Sequence, residues 1–112
     1  MYDFIKIFSD EMHSQRIEAT VLEAYLISEL KFSIESHLKF FKDIGGERIT
    51  IMGIPANSNG GYGFNSLEGV NSINLIEIAV PWKLCETFQE EVSEIAMAIV
   101  NHFSWIVEDD RE

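Results

Sequence analysis

The sequence is poor in cysteine and proline: one cysteine, Cys85, and two prolines in 112 residues. A single cysteine excludes an internal disulfide and cannot build a cysteine zinc site. Residues 1–44 contain neither glycine nor proline. Helices leave that mark, so the segment reads as helical. No apolar run approaches the roughly 20 residues that a membrane-spanning helix needs. The start, Met1-Tyr2-Asp3-Phe4-Ile5-Lys6, has no basic region and no small-residue cleavage site of a secretory leader. These absences lead us to expect a soluble, cytoplasmic protein.

Positive charge is scarce as well. Eight Lys and Arg stand against 19 Asp and Glu, a formal charge of −11. Residues 84–112 hold eight of the acids and one base, a net −7 in about the last quarter of the sequence. Such a field repels phosphate backbones, so direct nucleic-acid binding is not expected. It attracts a basic protein, or it serves only to keep the chain in solution.

What the sequence does have is apolar bulk. It is 46% hydrophobic and 24% charged. That composition and length fit one domain, residues 1–112, around one core. A first helix is expected to carry Phe4, Ile5, Phe8 and Met12 on one face, with a break near His13-Ser14-Gln15 and Ser14 as N-cap. A second is expected over residues 15–42, with a ridge of Leu22, Leu26, Leu30, Ile34, Leu38 and Phe41 and a second stripe of Val21, Tyr25 and Phe32, ending at Gly45-Gly46. Residues 47–54 and 73–80 are Ile-rich and bounded by turn residues, and read as strands. A short strand near 62–66, after a turn at Asn59-Gly60, would fill the loop between them. The last helix is marked by Leu84, Phe88, Val92, Ile95, Ala96, Ile99, Phe103 and Ile106, opening at Pro81 or at a Thr87/Glu90 capping box. The expected fold is α+β: three helices on an antiparallel sheet of two or three strands, in the order α-α-β-(β)-β-α.

Catalytic signals are thin. His13, His37 and His102 show no helical metal spacing. Cys85 lacks a motif that would activate it. The glycine-rich stretch 57–63 lacks the Gly-Lys-Ser/Thr ending of a phosphate loop. Glu77 lies between apolar neighbours in a strand, either as a carboxylate perturbed by burial or as a solvent-side residue, and the solvent side is favoured. No enzyme activity, cofactor or metal is therefore expected.

The acidic ridge of the last helix carries more. With Glu86 at zero, Glu90 falls at about 40°, Glu94 at about 80° and Asn101 at about 60°, while the apolar stripe centres near about 215°. Met97, at about 20°, and Trp105, at about 100°, lie among or beside the acids. A purely solvated face needs no such residues, whereas Met and Trp often anchor interfaces. The ridge, the tail Glu108, Asp109 and Asp110, and the loop aromatics Tyr62 and Phe64 form the candidate partner-binding set. In size, charge and lack of a catalytic motif, the chain resembles the immunity proteins of bacterial toxin systems. That resemblance implies an inhibitor whose carboxylates occupy the basic groove of a nuclease-like toxin. The alternative readings are a structural or chaperone-like assembly protein, with a homodimer as one form, and, against the lack of catalytic motifs, a small enzyme.

Overall fold

The computed structural model describes residues 2–56, 67–81 and 86–109, except the side chains of Tyr2, Glu86 and Thr87. The expected strand at 62–66, the turn at Asn59-Gly60, and Tyr62, Phe64, Cys85 and Asp110 lie outside the described residues. Within them the elements run β1 (Tyr2–Phe8), β2 (Ile17–Glu18), α1 (Ala19–Ser28), β3 (Ser33–Ser36), β4 (Lys39–Ile44), β5 (Glu47–Ile54), β6 (Ser72–Ile73), β7 (Leu75–Pro81), α2 (Glu86–Phe103) and β8 (Ile106–Asp109). Six strands form one antiparallel sheet in the order β3-β4-β5-β7-β1-β8, and β2 pairs with β6 in a separate two-stranded ladder.

This corrects the expected three helices on two or three strands: the described residues hold two helices and a six-stranded sheet. Residues 2–8 are a strand because their burial has period two. Ile5 and Ile7 are fully buried, while Phe4 before them is exposed and Lys6 between them is half-buried. The β-branched pair suits a pleated surface packed on one side. The expected second helix survives only as α1. Its continuation is the β3–β4 hairpin, with Ile34 opposite Phe40 and Ser33 opposite Phe41. Pro81 ends β7 rather than opening a helix.

Each break in the glycine-free segment falls on an ordinary residue in the left-handed region. His13 has φ 53°, Lys31 has φ 62° after α1, and Leu38 has φ 62° in the β3–β4 turn. Gly45 and Gly46, expected to cap a helix, have φ 58° and 86° and form the two-residue turn between β4 and β5. Positive φ at both central positions gives a turn whose twist matches that of the flanking strands.

Both helices cover one face of the sheet. Ile5, Ile7, Phe40, Ile49, Ile51, Ile76, Ile78 and Val80 pack there with Leu22 and Leu26 of α1 and Val92 and Ile99 of α2. Gly53 allows a close approach on that face: an added Cβ would lie 2.9 Å from Leu22 Cδ2 and 3.1 Å from Leu38 Cδ2. On the other face, Phe8, Ile54, Ala56 and Leu75 form a smaller cluster. Beside it lies buried Asn74. Its Oδ1 accepts the Ala56 N–H at 2.6 Å, and its Nδ2 donates to the carbonyls of Ala56 at 2.8 Å and His13 at 3.1 Å. A buried amide with its donors and acceptor engaged can hold two segments together at little desolvation cost.

The segment after β1 is a turn centred on Asp10. Its Oδ1 accepts the backbone N–H groups of Met12 at 3.0 Å and Ser14 at 3.1 Å, and its Oδ2 accepts the Ser14 hydroxyl. Ser14 therefore donates to a turn rather than capping a helix. The Ser14 hydrogen bonds, the hydroxyl's first, hold the Asp10 carboxyl below its ordinary 3.8.

Candidate functional site

α2 has a hydrophobic side and a charged side. Phe88, Val92, Ile95, Ala96 and Ile99 are buried against the sheet. Glu90, Glu94, Met97 and Asn101 are exposed together on the outer side, and Met97 keeps 47% of its surface in solvent. The helical spacing puts them on one face because four residues advance about one turn. Glu86 is the first residue of the same helix. The two ion pairs found among the described residues, Lys39 with Glu35 at 2.9 Å and Arg48 with Asp43 at 3.0 Å, lie elsewhere. Glu90, Glu91 and Glu94 have no cationic partner among them.

Trp105 does not join this face. Ser104 adopts φ 57°, and the Trp105 N–H bonds the Val100 carbonyl at 3.2 Å. That six-to-one bond closes a Schellman turn, which brings the residue after the left-handed position back toward the helix's apolar side. Trp105 is accordingly only 4% exposed and packs near Phe103. It serves the core and not, as expected from helical spacing, the partner-binding surface. Ile106, expected as the last residue of the helical stripe, instead begins β8 and is exposed.

The acidic tail is also divided. Glu108 and Asp109 lie in β8, opposite Lys6 and Ile5 of β1 respectively. Successive strand residues point to opposite faces, so Asp109 shares the helix-covered face with Ile5 and Glu108 shares the other face with Lys6. Neither extends the α2 ridge as a helical continuation would.

Beside the ridge lies a feature that periodicity does not reveal. An open groove of about 400 Å³ runs between α2, the segment after α1 and β4, lined by Leu30, Lys42, Ile44, Glu91, Glu94, Ile95 and Ala98. Leu30, Ile44, Ile95 and Ala98 give it apolar walls. Glu91 and Glu94 stand on α2, and Lys42 comes from the sheet. The Lys42 ammonium donates to the Leu30 carbonyl at 2.9 Å and lies 5.9 Å from the centre of the Phe32 ring. The far wall is held by Tyr25, whose hydroxyl donates to the Ala98 carbonyl at 3.1 Å and whose ring stacks on His102 at 3.9 Å. Burial, and then the nearby Glu29 charge, raise the Tyr25 hydroxyl above its ordinary 10.0. It stays a donor across the physiological range.

The remaining candidates have structural surroundings. His37 occupies the β3–β4 turn and its Nε2 donates to the Val70 carbonyl at 2.7 Å. His13 stacks on Phe8 at 4.7 Å. Glu77 is 7% exposed, so the favoured solvent-side reading is corrected, and the register sets Lys6 opposite it. No group of three or more His, Cys, Asp or Glu among the described residues could hold a metal ion. Among the same residues no helix is long and apolar enough to cross a membrane. Compared with protein-family models, with curated proteins and with solved structures, the chain finds no match in any of the three.

Proposed function

We propose that the protein is an acidic protein-binding module of the immunity or inhibitor type, and that the outer face of α2 binds a basic partner such as a nuclease-like toxin. The observation that carries the reading is the exposed row Glu90, Glu94, Met97 and Asn101, whose carboxylates form no ion pair with a described residue. Uncompensated like charge costs a little stability when the protein is free. A basic partner relieves that cost and associates faster along the field. Met97 supplies a deformable apolar contact in the middle of the row.

The test begins with capture of the tagged protein's partner from its native lysate at low and at high salt. A basic protein held stoichiometrically at low salt and loosened at high salt is expected. Reversing Glu90 and Glu94 to Lys together should then weaken that complex by about 10- to 100-fold while leaving the thermal melt in place. An unchanged affinity sinks the assignment of this face.

A second reading has its own observation. Both edge strands, β3 and β8, are exposed along their whole length, with Ile34 and Ile106 each near half exposure. Open edges invite pairing with another chain, as an oligomeric assembly protein requires. A solution mass that rises with concentration and ignores salt would favour it.

A further inference from the structure

We propose that the groove between α2, β4 and the segment after α1 receives an arginine side chain of the basic partner. This rests on the protein-binding reading above and names the chemistry of its central contact. Three features point the same way. Leu30, Ile44, Ile95 and Ala98 offer apolar walls to an aliphatic stem. Glu91 and Glu94, three residues apart on one helix, add two carboxylates to the lining. A guanidinium presents paired donors in a rigid fork that suits a carboxylate, whereas an ammonium is a compact point charge.

Lys42 does not turn the groove into an anion site. Its hydrogen bond to the Leu30 carbonyl fixes the ammonium without cancelling its charge, but the carboxylates of Glu91 and Glu94 outnumber it within the lining. The field of a chain with formal charge −11 further disfavours an acidic occupant. Charge and shape thus select a cation with a long apolar stem.

The probe is N-acetyl-arginine N-methylamide, titrated into the isotopically labelled full chain at low salt, with amide shifts followed by NMR. Its neutral isostere, the citrulline derivative, and the lysine derivative serve as comparisons. Saturable shifts centred on Leu30, Ile44, Glu91, Ile95 and Ala98 are expected, with the citrulline compound weaker by about tenfold or more. Ala98→Leu fills the groove without altering charge and should abolish the shifts. Glu91→Gln keeps shape and should weaken binding by about fivefold to tenfold, which covers the case in which Ala98→Leu disturbs the fold. Equal binding of the citrulline or lysine compound, or shifts spread over every surface acid, overturns the proposal. The captured partner separates this failure from that of the broader reading. If charge reversal of Glu90 and Glu94 releases it but Ala98→Leu and Glu91→Gln do not, the groove proposal falls and the acidic face stands. If none of them releases it, both fall.

Discussion

Two turns at opposite ends of β4 solve the same problem differently. Between β4 and β5 the chain reverses at Gly45 and Gly46, where positive φ is free of steric cost. Between β3 and β4 it reverses with Leu38 at φ 62°. A left-handed backbone costs a non-glycine residue about 1–2 kcal/mol. The difference is what each turn does with its side chain. The glycines have nothing within 4 Å of where a Cβ would sit, whereas Leu38 is 3% exposed and reaches over Gly53. Burying a leucine contributes about 2–3 kcal/mol, enough to offset the strain.

The largest effect expected from this comparison is at Leu38 itself. Leu38→Gly relieves the backbone but leaves a cavity over Gly53, so a net loss of about 2 kcal/mol is expected in urea unfolding. A gain in stability would show that the turn, not the packing, dominates there. Ser104 has the same backbone sign without the burial, being exposed at φ 57°. Ser104→Gly should therefore raise stability by about 1 kcal/mol and leave Trp105 fluorescence as it is. A loss would mean that the Schellman turn depends on the serine.

A smaller effect, visible only against pH, concerns the Asp10 turn. The folded carboxyl titrates below 3.8 because Ser14 donates to it, so its contribution is complete above the unfolded value and is lost as pH falls through the folded one. The melting temperature of Asp10→Asn should lie below that of the parent near about pH 6, and the gap should close toward about pH 2. A gap that stays constant would assign the turn's stability to shape alone.

The same contrast explains what could be read in advance. β5 was legible to the residue, 47–54, and β7 nearly so, because glycine, proline and asparagine bound them and their isoleucines are dense. Residues 1–44 misled for two physical reasons. The marks of chain reversal were missing, since His13, Lys31 and Leu38 stand where glycine is usual. The i, i+4 ridge through Leu30, Ile34 and Leu38 was also ambiguous, because four is close to one helical turn and is also two strand repeats. At the candidate site, Glu90, Glu94, Met97 and Asn101 were legible as one helical face. Trp105 was lost to that reading because Ser104 ends the helical phase. The groove could not be read from any period, since Leu30, Lys42 and Ala98 meet only through tertiary packing.

The sheet order has a consequence for how the protein is made. β1 sits inside the sheet between β7 and β8, with Ile7 paired to Ile76 on one side and Val107 on the other. A ribosome emits β1 first and its two neighbours much later. Until then β1 has two open edges and its isoleucines face solvent. The β3–β4–β5 meander pairs only local segments and can assemble early, but the sheet cannot close around β1 until α2 and β8 have left the exit tunnel. Non-local closure of this kind is slow and leaves nascent chains prone to aggregation. Chaperone dependence during synthesis should accordingly track the time β1 waits, and slowing translation between β5 and β7 should increase it.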